Sequence, residues 1–215
     1  MYVKDNMSRN PYTIGANHSI SEALDIMSAS KVNRLPVVDQ KGKLIGLLTE
    51  SVVSSNTPNN ASSLSVFELN YLLNKLNVLD VMIKDVITIK PDALLEEAAS
   101  LMLQKKIGCL PVVDDSNLLV GIITYDDIFA AFVDLLGYNT GGTRYVVNTN
   151  DDNPGIMEGI AKVCTQNNIS ISNLAVYHTE RGIEVVVIVY GDNDISDKLI
   201  AAGYNVTSRM QLNKN

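Results

Sequence analysis

Leu35-Pro36-Val37-Val38-Asp39 recurs as Leu110-Pro111-Val112-Val113-Asp114, and Gly46-Leu47-Leu48-Thr49 recurs as Gly121-Ile122-Ile123-Thr124. The offset never changes: 88 − 13, 111 − 36, 121 − 46 and 124 − 49 are all 75. A repeat that keeps its register over this length implies two copies of one supersecondary unit packed face to face. Such a pair encloses a two-fold-like cleft, where function is expected. Upstream of the first strand, Ser19-Ile20-Ser21-Glu22 is a capping-box sequence, and Ile20, Ala23, Leu24 and Met27 share one face of the helix it opens. That helix is predicted to end near Ala29 or Lys31. A strand at 35–38, a turn at 40–43, a strand at 44–49 and a second helix just after Thr49 complete the copy. The second copy predicts a helix over 92–105, strands over 110–113 and 118–123, and a helix over 125–136.

The repeat divides the chain into a first copy at 1–54, a loop and inserted helix at 55–77, and a second copy at 78–136. Residues 54–63 are rich in Ser, Asn, Thr and Pro and predict an exposed loop. Phe67, Tyr71, Leu72 and Leu76 at helical spacing predict the inserted helix. Val78-Leu79-Asp80-Val81-Met82 is the counterpart of Val3-Lys4-Asp5-Asn6-Met7. Three glycines within 137–142 break the last helix and mark a linker. The segment 143–215 has another pattern: strands at 144–149, 172–179, 182–190 and 204–207, with helices at 154–167 and 196–202. That order, strand-helix-strand-strand-helix-strand, is ferredoxin-like. The expected class is α/β (α+β): two repeated sheet-and-helix units followed by a ferredoxin-like βαββαβ unit.

Composition narrows the functions. With 215 residues, 46% of them apolar, the chain has ample core material. Its apolar runs fall far short of the roughly 18 to 20 residues of a membrane span, and Met1-Tyr2-Val3-Lys4-Asp5 has no apolar signal core, so a cytoplasmic location is expected. A net charge of −7 argues against a nucleic-acid partner. Cys109 and Cys164 fit no ligand spacing and read as buried side chains; His18 and His178 lie far apart, so no metal site is expected. With no nucleophile–base pair and no Walker-type loop, the chain does not read as an enzyme.

Thr13 and Thr88, the two Leu-Pro-Val-Val-Asp strands and the Gly-x-x-Thr ends make the two copies resemble a cystathionine-beta-synthase (CBS) domain pair. The resemblance covers about 1–136 and implies a cleft that often binds an adenosine-containing ligand, AMP or ATP in the first instance. In Gly121-Ile122-Ile123-Thr124-Tyr125-Asp126-Asp127 a strand gives way to a helix whose free amides and dipole favour a phosphate. Asp127 stands where the family accepts both ribose hydroxyls. The alternative is that Thr124 only caps the helix and Asp127 only complements its dipole. Gly108, Cys109, Leu110 and Pro111 are expected to wall the base, with Thr88 approaching from the linker. Arg34, opposite Cys109 in the repeat, either reaches a phosphate across the cleft or pairs with a surface carboxylate. Position 52, which is 127 − 75, is Val52. An unmet hydroxyl pair there would cost about 1–3 kcal/mol, or about ten- to a hundredfold in affinity, so one nucleotide per chain is expected.

Asp152-Asn153-Pro154-Gly155-Ile156-Met157, between the first strand and helix of the last segment, resembles the signature loop of an ACT domain, which in that family either binds an amino acid or only dimerises. Pro154 is expected at the first helical position. The whole order resembles the acetoin-utilisation type of CBS-ACT protein. The expected function is a non-catalytic regulator that senses an adenosyl ligand, shifts a hinge near 137–142 and so changes how it or a regulated protein is arranged; a homodimer is the default, since the resembling modules tend to self-associate and closed two-fold symmetry is commonest. The alternative is an amino-acid sensor working through the ACT module, with the CBS pair as dimer scaffold.

Overall fold

In the computed structural model, which describes residues 1–56, 73–149, 154–180, 182–192 and 194–214, the repeat folds twice into matching elements. The first copy runs α1 (Val3–Asn6), β1 (Ser8–Arg9), β2 (Ile14–Gly15), α2 (Ile20–Ser30), β3 (Arg34–Val38), β4 (Leu44–Thr49) and α3 (Glu50–Asn56). The second runs α4 (Val78–Val81), α5 (Leu95–Lys105), β5 (Cys109–Val113), β6 (Leu119–Thr124) and α6 (Tyr125–Leu135). The capping box forms: the Glu22 N–H donates to Ser19 Oγ at 3.2 Å, and the Ser19 N–H donates to Glu22 Oε2 at 2.8 Å. Both α2 and α5 close on a left-handed lysine, Lys31 at φ 54° and Lys106 at φ 53°. The next residue then donates back, Val32 to the Met27 carbonyl and Ile107 to that of Met102.

The two copies exchange their leading segments. β1 belongs to the first copy, yet it pairs with β6 of the second, Ser8 opposite Ile122 and Arg9 opposite Gly121. In return Ile83 trades two backbone hydrogen bonds of 2.9 Å with Leu47. The crossings obey the repeat, since 83 − 8 and 122 − 47 are both 75. Tyr2 with Leu94 and Ser19 with Asn77 form a second symmetric pair of bridges. These crossings explain two glycines of the motif. A Cβ on Gly121 would meet Met7 Sδ and lie 3.0 Å from the Ser8 carbonyl, and one on Gly46 would meet Met82 Sδ and lie 3.1 Å from the Ile83 carbonyl. Beneath them the copies bury equivalent residues, Ile20, Ala23, Met27, Leu35 and Leu48 against Leu95, Ala98, Met102, Leu110 and Ile123.

Two expectations shift. The helix expected from 92 begins at Leu95, because Pro91 and Ala93 give their carbonyls to Lys4 and Val3, and Leu95 donates to Met1. The polar run expected as loop from 54 is helical to Asn56, and Ser54, Ser55 and Asn56 donate their side chains to the carbonyls four residues back, as short polar residues at a helix end do. The rest of that loop, and Phe67, Tyr71 and Leu72 of the inserted helix, lie outside the described residues.

The chain divides into two units, Met1–Ile128 and Phe129–Asn215. The second holds β7 (Gly142–Thr149), α7 (Ile156–Gln166), β8 (Ile171–Thr179), β9 (Gly182–Val189), α8 (Ser196–Ala201) and β10 (Asn205–Leu212). Its sheet is antiparallel in the order β10-β7-β9-β8, which is the ferredoxin-like arrangement. Tyr145, Val147, Val185 and Val187 pack with Ile160, Val163 and Leu199 of the two helices. Pro154 is not the first helical residue: Gly155, at φ 99°, is the N-cap, and the left-handed turn it makes delays the helix to Ile156. The last strand runs five residues past Thr207, to Leu212, held by its ladder with β7 while most of its side chains stay exposed. Among the described residues no helix is long and apolar enough to cross a membrane.

Candidate functional site

The exchange of leading segments produces two clefts in the first unit, each floored by one copy and walled by the other. One, of about 420 Å³, has Ile122, Thr124, Asp126 and Asp127 from the second copy facing 8–12 and 31–34 from the first. The other, of about 450 Å³, sets Leu47 and 49–52 against 106–109 and 85–87. Arg34 lines both.

In the Thr124 cleft the strand-to-helix junction is tied by one carboxylate oxygen. Asp127 Oδ2 accepts the Thr124 N–H and the Thr124 hydroxyl, both at 2.8 Å, so Asp127 completes a capping arrangement at the start of α6. Neither bond uses Oδ1, and the half-buried Asp127 lines the cleft. Facing it are Arg9, Lys31 and Arg34, three cations against Asp126 and Asp127. In the first-copy cleft the Val52 N–H donates to Thr49 Oγ1 at 3.2 Å, and that hydroxyl lies 2.9 Å from Ser51 Oγ. Val52 itself packs against the apolar core of its copy, so this junction has a threonine cap but no carboxylate at the equivalent position. Here two cations, Arg34 and Lys106, meet two carboxylates, Glu50 and Asp85.

The residues singled out from sequence divide between the clefts. Thr124, Asp127 and Arg34 come together in one. Gly108 and Cys109 line the other, also with Arg34, while the buried Leu110 and Pro111 and the half-buried Thr88 line neither. The apolar wall beside Thr124 and Asp127 comes instead from Pro11, Tyr12 and Val32. Gly108 leaves room for the shared guanidinium, since a Cβ there would lie 2.8 Å from Arg34 Nη2. Burial pushes the Cys109 thiol up, and Arg34 opposes that only in part, so the side chain is a neutral wall and not a thiolate nucleophile. The wall residues Tyr12, Lys31 and Asn33 carried no motif; their counterparts 87, 106 and 108 on the other cleft are the signal that locates them.

In the second unit Pro154, Gly155 and Ile156 precede or open α7, while Asp152 and Asn153 lie outside the described residues. A Cβ on Gly155 would meet nothing within 4 Å. Among the described residues no group of three His, Cys, Asp or Glu is placed to hold a metal ion.

A family model for the CBS domain matches residues 3–53 and 78–134. An inosine-5'-monophosphate dehydrogenase of Nitrosopumilus maritimus is 36% identical over 122 residues, which are 57% of this chain and 22% of that enzyme, so the chain spans under a quarter of the relative's length. Among solved structures, a Vibrio cholerae structure described as an acetoin utilization protein is 32% identical with a TM-score of 0.54, covering 63% of this chain and 93% of that one. A CBS domain pair in complex with 5'-methylthioadenosine and S-adenosyl-L-methionine is 33% identical with a TM-score of 0.52, over 62% of this chain and 97% of that one. The protein CBSX2 in complex with AMP is 28% identical with a TM-score of 0.52, over 62% and 96%.

Proposed function

The chain belongs to the CBS domain family, and from that premise we propose that it is a non-catalytic regulator binding one adenosine-containing ligand, AMP or ATP in the first instance, in the Thr124–Asp127 cleft. The observation that carries this is the inequality of the clefts: one joins Asp127 to Arg9, Lys31 and Arg34, and the other has Val52 at the position of the carboxylate. Asp127 Oδ1 accepts from the ribose hydroxyls while Oδ2 keeps Thr124 in place. Arg34 and Lys31 take phosphate charge, Arg34 through its bidentate fork. Val32, Tyr12 and Ile122 give the base an apolar wall. The similar CBS pairs solved with AMP, with S-adenosyl-L-methionine and with 5'-methylthioadenosine support this ligand class.

The ligand links parts of the chain that the repeat alone brings together, so occupancy favours one arrangement of the copies, and the change passes to a homodimer partner or to a regulated protein. The βαββαβ unit reads as an ACT-like module that receives the change across 137–142. One observation favours a second reading, in which that module senses an amino acid: Gly155 sits in a left-handed turn with open space where a side chain would be.

Thermal shift and calorimetry with AMP, ATP and S-adenosyl-L-methionine, on wild type and Asp127→Ala, test the proposal. At a hundred times Kd a ligand stabilises the wild type by about 2.7 kcal/mol, and loss of the carboxylate weakens binding about ten- to a hundredfold. Absence of stabilisation by all three compounds sinks it. A response to amino acids that disappears in Gly155→Ala, with no response to nucleotides, installs the second reading instead.

A further inference from the structure

The second unit carries a cavity of about 290 Å³ that neither reading uses. It lies on the sheet face turned away from α7 and α8. Arg144 pairs with Ile188, and Ile188 with Asn173, so these three side chains share a face; Val146, Val186 and Ala175 form the next rung. The alternate residues Tyr145, Val147, Val185 and Val187 serve the helical core. Val186 and Ile188 form a buried floor, 6% and 1% exposed, and Leu136, Tyr138 and Tyr177 also line the cavity. Asn173 of β8 ties the sheet to the end of α6 by donating to the Leu135 carbonyl at 2.8 Å.

Among the described residues Arg144 is the one charged residue lining the cavity, it is half-buried, and none of them pairs with its guanidinium. The nearest carboxylate on this face along the ladder is Glu184, two rungs away beside Asn148. An unpaired guanidinium over an apolar floor calls for an anion with an apolar body. A single cation suits a single negative charge better than a phosphate dianion. A zwitterionic amino acid would bring an ammonium to a wall whose described residues include no Asp or Glu. Size sets the body: at about 30 Å³ per water-sized volume, 290 Å³ holds about ten non-hydrogen atoms. We propose that this cavity binds a medium-length apolar monocarboxylic acid, its carboxylate on Arg144 and its body against Val186, Ile188, Tyr138 and Tyr177.

Calorimetry of the full chain with octanoate as probe, beside octan-1-ol and 2-aminooctanoate, tests this. Octanoate binds one per chain, and both comparison compounds bind at least about tenfold more weakly. Arg144→Leu lowers octanoate affinity about ten- to a hundredfold, Arg144→Lys lowers it less, and Ala175→Leu, which fills the floor, abolishes it. Three results overturn the proposal: no octanoate binding by folded wild type at millimolar concentration, affinity unchanged in Arg144→Leu and Arg144→Lys, or a dimer broken by Ala175→Leu and indifferent to octanoate. The last would assign the face to a second copy of the chain. Nucleotide titration of Arg144→Leu stays as in wild type, so failure here is separable from failure of the adenosyl reading.

Discussion

Gly121→Ala is the sharpest perturbation of the crossing between copies. The new Cβ meets two obstacles of different stiffness: Met7 Sδ, the end of a flexible side chain, and the Ser8 carbonyl at 3.0 Å, which is backbone paired in β1. Met7 can rotate away, whereas the carbonyl is tied into the β1–β6 pairing and must give by a few tenths of an ångström at the expense of that ladder. Overpacking of this kind costs about 1–3 kcal/mol, and each ladder bond lost adds about 1 kcal/mol. For a chain of this size that is a fall in Tm of about 3–10 °C. Thermal unfolding by circular dichroism of wild type, Met7→Ala, Gly121→Ala and the double variant separates the two obstacles. The double variant should remain clearly less stable than Met7→Ala alone, because truncating methionine does nothing for the carbonyl. Nucleotide affinity should fall as well, since β1 leads into the 8–12 wall of the cleft. A Gly121→Ala protein within about 0.5 kcal/mol of wild type, or a double variant matching Met7→Ala, refutes the backbone approach as the reason for the glycine.

Two further outcomes rest on the capping geometry. Val52→Asp puts the missing carboxylate three residues after Thr49, whose hydroxyl already takes the N–H of residue 52; calorimetry should show stoichiometry rising from one nucleotide per chain towards two, with about 1–2 kcal/mol of stability lost from the core contact. A folded variant that still binds one nucleotide contradicts the assigned role of position 127. For pH, the Ser19 backbone N–H, then its hydroxyl, holds the Glu22 carboxyl below its usual range. A depressed folded-state value means that the contribution is present above the unfolded pKa and is lost as pH falls through the folded one. The Tm difference between wild type and Glu22→Gln should therefore be largest near neutrality and shrink in acid. A difference that stays constant across that range argues against the capping carboxylate.

The constant offset of 75 made the duplicated elements legible, and the Ser19 capping box and the Leu-Pro-Val-Val strands formed as their residues dictate. What the sequence concealed is which copy builds which wall. β1 is two exposed residues, Ser8 and Arg9, with no apolar alternation to announce a strand. Its pairing comes from a partner 75 residues out of phase with its own copy, so reading each copy as self-contained placed Gly108 and Cys109 beside Asp127 when they face Val52. The clue was present in Gly46 with Met82 and Gly121 with Met7, where a missing side chain on one copy is matched by a long flexible one on the other. The last strand was underread for a similar reason: exposed polar side chains carry little pattern, and the β7 ladder supplies the order.

The crossed segments also impose an order in time. Leu47 and Ile83 are separated by 83 − 47 = 36 residues, while Ser8 and Ile122 are separated by 122 − 8 = 114. Closing the longer loop costs about 1 kcal/mol more, by the logarithm of the ratio. On a ribosome the first crossing can form before Ile122 has been made. The amino-terminal strand must then wait for its seat, so the cleft with Asp127 is the last part of the pair to be completed.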